Sequence, residues 1–180
     1  MTPKKDHLIW LDLEMTGLEP EKHVILEIGC VITDSNLNMI AEGPVFAIHH
    51  PERILTTMDP WSQHQHGKSG LTARCRMSKV SLAKAEEKML EFVRLHCLAQ
   101  ASPLCGNSIG QDRRFLYKFM PKLNSFFHYR NIDVSTLKEL VHRWYPTSNQ
   151  APEKKKTHYV LDDIHDSIEE LRHYRRTIFK

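Results

Sequence analysis

Leu8-Ile9-Trp10-Leu11-Asp12-Leu13-Glu14-Met15-Thr16-Gly17-Leu18 is the run on which the reading of this chain turns. In a strand, successive side chains point to opposite faces, so Leu8, Trp10, Asp12 and Glu14 share one face and Ile9, Leu11 and Leu13 the other. Both faces begin apolar, the pattern of a central strand covered on each side. One face ends in two carboxylates. Two residues apart, Asp12 and Glu14 are separated by roughly 6–7 Å at the backbone, close enough for both to reach one ion. Acids at the end of an apolar strand lose water and repel each other, unless a cation sits between them. The alternative is a frayed strand end with solvated carboxylates.

Outward from this strand, Thr16-Gly17-Leu18-Glu19-Pro20 reads as a turn, residues 25–33 as a second strand containing Glu27, and residues 37–48 as a third. The short connections predict a meander of three antiparallel strands. Asp59-Pro60-Trp61 predicts a helix start, with Asp as cap and Pro in the first turn. Residues 67–74 read as a loop. A long helix follows from about Ser81, its apolar stripe running Leu82, Ala85, Met89, Phe92 and Val93, with Glu86, Glu87 and Glu91 on or near the wet side. Residues 102–106 read as a short buried strand. A helix from Ile109 to Phe119 stops at Pro121, residues 130–134 form another strand, and a helix runs from Ser135 to about Trp144. Residues 146–156 read as a polar loop. A final helix begins near Asp162 or Asp163 and carries Ile164, Ile168, Leu171 and Ile178 at helical spacing. Three strands followed by alternating strand and helix predict an α/β fold: a mixed sheet, antiparallel then parallel, with helices on both faces.

At 180 residues, 41% apolar and 26% charged, the chain matches one globular domain spanning 1–180 and lies far from the composition of disorder. It has no run of the roughly 18 apolar residues a membrane span needs, and Met1 to His7 does not read as a secretory signal. Cys30, Cys75, Cys97 and Cys105 are widely spaced, with no CxxC pair, as in a protein with reduced thiols. A cytoplasmic location without membrane attachment is the expectation. A net charge of +3 says little, but Lys154-Lys155-Lys156 and Arg172, Arg175 and Arg176 are local clusters that either attract a polyanion or are simply solvated.

Asp112 shares a helical face with Phe115, Leu116 and Phe119, so it points toward the sheet where an apolar residue is expected. It is either a site residue or a first-turn acid favoured by the helix dipole. Asp163 opens the last helix, and His158 lies five residues upstream, where an imidazole suits taking a proton from water. Asp162 is open to either job and to capping the helix. Asp12, Glu14, Asp112 and Asp163 offer hard oxygen ligands from separate elements, which select Mg2+ or Mn2+. Two such ions about 4 Å apart activate a water and stabilise a leaving oxygen in attack on phosphorus. Leu18 is an apolar turn tip beside two acids, placed to meet a base. Trp61 and Tyr129 read equally as core or interface aromatics, and Arg130 as a strand-end charge.

Four stretches carry a family resemblance: Trp10 to Leu18, Cys105-Gly-Asn-Ser-Ile-Gly-Gln-Asp112, Arg130-Asn-Ile-Asp-Val-Ser-Thr136, and His158-Tyr-Val-Leu-Asp-Asp163 onward to Leu171. In that order, over roughly residues 7–178, the chain resembles the oligoribonucleases of the DEDDh exonuclease superfamily, named for four acids and a histidine. The resemblance implies a ribonuclease H-like fold and stepwise 3′-to-5′ hydrolysis of very short single-stranded RNA to nucleoside 5′-monophosphates. It implies Asp12, Glu14, Asp112 and Asp163 as ligands of two divalent cations and His158 as general base, although Tyr159 stands at the four-residue spacing of the sister class. Leu18 resembles a wedge beside the bases, Trp61 a pocket wall, and His66 and Ser108 substrate neighbours. Arg130, Ser135 and Thr136 resemble a group that closes on the 5′ phosphate, and Tyr129 an aromatic given by the partner subunit of a homodimer.

Overall fold

A computed structural model describes residues 3–147, 150–151 and 159–179. The quoted run forms β1 (Leu8–Met15), which pairs antiparallel with β2 (Ile25–Thr33) in a register running from Leu8 opposite Thr33 to Glu14 opposite Glu27. All nine residues of β2 are buried. β3 (Met39–Glu42) and β4 (Phe46–Ala47) both pair antiparallel with β2. The helices α1 (Glu52–Leu55), α2 (Pro60–Lys68), α3 (Leu71–Met77) and α4 (Leu82–His96) come next. Then follow β5 (Leu104–Gly106), α5 (Ile109–Phe119), α6 (Pro121–Phe126), β6 (Asn131–Asp133), α7 (Val134–Trp144) and α8 (Val160–Thr177). β5 is parallel to β1, and β6 to β5. The order β3-β2-β1-β5-β6, with β4 also on β2, is the expected mixed sheet of ribonuclease H-like topology.

The two faces of β1 bury against different helices, as its period of two requires. Ile9, Leu11 and Leu13 join Met89 and Val93 of α4 and Phe115 and Leu116 of α5. Trp10 joins Val31, Cys105, Val134 and Val141 of α7, and Val160, Ile164 and Ile168 of α8. The indole N–H of Trp10 is satisfied by Thr33 Oγ1 at 3.0 Å, which lets so large a ring be buried completely.

The structure corrects several boundaries. The expected third strand is broken: Leu37 turns with φ 69, and residues 43–45 separate β3 from β4. The break has a steric cause, since a Cβ at Gly43 would meet the Cys30 carbonyl oxygen and the Phe92 ring, each at 2.7 Å, and Pro44 has no N–H for a ladder. The stretch read as a loop contains the start of α3, which follows the left-handed Gly70 (φ 75) and buries Leu71 and Cys75. Pro121 ends α5 and also begins α6. The last helix starts at Val160, so Asp162 and Asp163 lie within its first turn and neither caps it.

Glu86, expected near the wet side of α4, is buried. Its Oε1 accepts from the N–H groups of Lys122 (2.7 Å) and Leu123 (3.1 Å), capping α6 from another helix. Removing this acceptor strands two donors. Glu86→Ala should lower stability by about 2 kcal/mol, a fall in Tm of about 4–8 °C. An unchanged melting curve would show that water replaces the carboxylate without loss.

Candidate active site

Asp12 and Glu14 stand two apart at the end of β1, and Asp163 stands in the first turn of α8. One carboxylate oxygen from each lies within 4.8 Å of the others. Distant in sequence, they meet because α8 lies very close to the sheet. Gly29 is the partner of Asp12 on β2, and a Cβ there would be 2.2 Å from Val160 Cγ1. Without a side chain at position 29, the first turn of α8 settles beside β1.

Asp112 is brought near but not into this group of three. It is buried in the first turn of α5, where its Oδ1 accepts from the Leu13 N–H at 3.1 Å. β5 stops at Gly106 and its ladder reaches only Trp10 of β1, so Asp112 serves the backbone between the two β1 acids.

Burial drives the carboxyl pKa values upward. Asp12 is raised well above the ordinary carboxylate range by burial first, then by the charges of Asp112, Glu14, Asp163 and Glu27. Glu14 is pushed up to about 8 by burial, with Asp163, Glu27 and Asp112 adding to it. Asp112 reaches about 7, again through burial, while its backbone hydrogen bonds pull the other way. Acids that oppose one another's ionisation and converge on one point suit a divalent cation, whose charge removes the conflict. A hard cation fits the donor set, which is all carboxylate oxygen.

Two residues beside the acids were not singled out by the sequence reading. Glu27 lies directly across β2 from Glu14 and is buried. Arg74 of α3 meets it with Nη2 at 2.9 Å from Oε1 and 3.2 Å from Oε2, and also lies 5.7 Å from the centre of the half-exposed Tyr159 ring. A charge inside an otherwise apolar strand was a visible signal. Its partner was hidden in the stretch taken for a loop.

His66 is buried in α2 rather than facing open space. Its Nε2 is 2.8 Å from the Met15 carbonyl oxygen, and its Nδ1 is 3.8 Å from Glu14 Oε2. It therefore backs the end of β1. α2 starts where expected, with Asp59 accepting from the N–H groups of Trp61 (2.9 Å) and Ser62 (3.0 Å). The Asp59 N–H bonds the Thr16 carbonyl, tying this start to the turn after β1. Trp61 and Leu18, 62% and 68% exposed, are large apolar groups left facing outward at these two tied places. Gly17 beside Leu18 has its Cα against the His23 ring, where a Cβ would fall 2.6 Å away. The side-chain amide of Gln111 on α5 donates to the Leu18 carbonyl.

A second polar group lies at the carboxyl ends of β5 and β6. Asp133 Oδ1 accepts from the N–H groups of Ser108 (2.9 Å) and Ser135 (3.0 Å), and the two serine hydroxyls are 3.1 Å apart. Thr136 is exposed in the first turn of α7. Tyr129 is exposed, and the Arg130 guanidinium lies 5.3 Å from its ring centre. His158 lies outside the described residues, as do Lys154, Lys155 and Lys156.

An exonuclease family model (RNase_T) matches residues 9–171. An oligoribonuclease of Marinobacter nauticus is 59% identical over 175 residues, covering 97% of each chain. One of Pseudomonas aeruginosa PAO1 is 58% identical over 174 residues, also 97% of each. Among solved structures, exonuclease I of Methylocaldum szegediense matches 97% of this chain with a TM-score of 0.71 and 17% identity. Escherichia coli exonuclease I in complex with a dA16 oligonucleotide matches 96% with a TM-score of 0.74 and 14% identity. This chain spans 41% of each of those two longer chains, and at such identity the likeness is one of fold. Near-complete matches at well over half identity decide the kinship: the chain belongs to the exonuclease family and, within it, to the oligoribonucleases.

Proposed function

We propose that this protein is a 3′-to-5′ exoribonuclease of very short single-stranded RNA, two to five nucleotides long and above all dinucleotides, releasing nucleoside 5′-monophosphates. The observation that carries this is the meeting of Asp12, Glu14 and Asp163 within 4.8 Å in a member of this family. Asp12, Glu14, Asp112 and Asp163 are assigned as the ligands of two divalent cations, Mg2+ or Mn2+. Bound there, such ions lower the pKa of a water and offset charge on the phosphate oxygens.

The chain's own groups do the rest. An imidazole nitrogen of His158 takes the proton of the attacking water. Asp112 holds β1 in register, and His66 steadies Glu14 from behind. Leu18 separates the two bases and Trp61 walls their pocket. Ser108, Ser135, Thr136 and Arg130 receive the 5′ phosphate, so that a longer chain would place an internal linkage where a terminal phosphate belongs. Tyr129 and Arg130 act across the interface of a homodimer, and the 74% exposure of Tyr129 leaves its ring available for that. The chain is assigned as a single exonuclease domain working in the cytoplasm. No helix among the described residues is long and apolar enough to cross a membrane.

With Mg2+, labelled RNAs of two, five and twenty nucleotides should be cleaved with kcat/KM falling at least about tenfold from the shortest to the longest. Equal or faster cleavage of the longest would replace the phosphate cap with an open cleft. No metal-dependent cleavage of any of them would leave a binding module.

A further inference from the structure

The two serines assigned to the 5′ phosphate are fastened to α8 through one side chain, Asn107. Its Nδ2 donates to Ser167 Oγ at 2.8 Å and to Glu170 Oε2 at 3.2 Å, and its Oδ1 accepts from Ser135 Oγ at 3.1 Å. Ser135 in turn meets Ser108 Oγ. Ser167 donates to the backbone carbonyl of Asp163 at 2.7 Å, so the chain of bonds runs from the serines to the turn that carries a proposed metal ligand.

The buried Glu170 fixes which way the amide points. Its Oε2 accepts from the NH2 end of Asn107, as does Ser167 Oγ, which leaves the carbonyl end for Ser135. Its other oxygen accepts from Tyr174 Oη at 3.0 Å, and the exposed Lys138 ammonium is 3.8 Å away. Few side chains meet these demands at position 107. Aspartate has no N–H to give Ser167 and Glu170, whereas alanine offers neither end.

We propose that Asn107 and Glu170 are positioning residues that hold Ser108 and Ser135 at a fixed distance from α8, and thereby set the preference for a substrate with one linkage between its 5′ phosphate and the acids. This rests on the assignment of the two serines to the 5′ phosphate.

The test compares kcat/KM for a 5′-phosphorylated and a 5′-hydroxyl RNA dinucleotide in the wild type, Asn107→Ala, Asn107→Asp, Ser135→Ala and the Asn107→Ala/Ser135→Ala double variant. Melting curves accompany each variant. Asn107→Ala should lower the preference for the phosphorylated dinucleotide about tenfold, through KM, with kcat within about threefold of wild type. Asn107→Asp, which keeps the volume, should lose at least as much. The double variant should lose no more than about either single change, because one bonded unit is broken. Glu170→Gln should retain the preference, since its carbonyl still accepts from Asn107. Loss of preference in Ser135→Ala but not in either Asn107 variant would overturn the positioning role and leave the phosphate assignment standing. Wild-type preference in Ser135→Ala would remove that assignment and the positioning role with it.

Discussion

Replacing Asp12 with asparagine should lower dinucleotide turnover by at least about a thousandfold while raising the temperature at which the metal-free protein unfolds. The two effects have one origin. Asp12 is hemmed in by Asp112, Glu14, Asp163 and Glu27, which together with burial make its ionised form costly. An amide of the same shape needs neither a buried charge nor the uptake of a proton on folding, and the metal-free protein at pH 8 should gain about 3 °C or more in Tm. The same change removes a donor from the three-acid group, so the cation loses a ligand and the attacking water its activation. A variant that is inactive and less stable would mean that Asp12 has a structural task. Wild-type turnover would refute the assignment altogether.

Divalent cation should stabilise the protein far more at pH 8 than at pH 5. Glu14 and Asp112, with pKa values near 8 and 7, and Asp12, also raised well above its ordinary value, keep protons in the folded chain that the unfolded chain has released. From about pH 4.5 to 8 the unfolded state therefore binds fewer protons at these groups, and their contribution to stability falls as pH rises. This is opposite in sign to the ordinary salt-bridged acid. A cation takes the place of the protons, so its benefit grows as they leave. At a hundredfold excess over its dissociation constant, the gain at pH 8 should be about 5–10 °C, against about 1–2 °C at pH 5. Melting curves in EDTA and in MnCl2 across this range provide the check, with an Asp12→Asn/Glu14→Gln protein to subtract other titrating groups. An equal gain at both ends would exclude the acids as the cation's site.

What the sequence made legible was periodicity. The two faces of β1, the inward side of Asp112 and the capped start of α2 follow from spacing alone, and each is where it was expected. Spacing also named Asp12 and Glu14, and the family resemblance chose Asp163 over Asp162, but the meeting of the three depends on Gly29 admitting α8, a contact across the chain that no local pattern contains. The sequence grouped Asp112 with these three acids, and the structure places it beside them, with its Oδ1 on the Leu13 N–H past the end of the three-residue β5. Glu86 and Glu27 were misjudged or passed over for a related reason. Amphipathic period tells which side of an element an acid occupies, whereas burial depends on whether another element offers N–H groups or a guanidinium at that place.

Asp12 lies near one end of the chain and Asp163 on its last helix, so the acid cluster closes late in synthesis. A chain made from its amino terminus has every strand of the sheet before α8 emerges. Until then Trp10 and Val31 lack part of their cover, and the carboxylates of β1 have no Asp163 beside them. The three-acid group is therefore complete only once α8 has packed against the sheet. A chain broken off before Val160 keeps the strands of the sheet but lacks Asp163, and so cannot assemble the three-acid group.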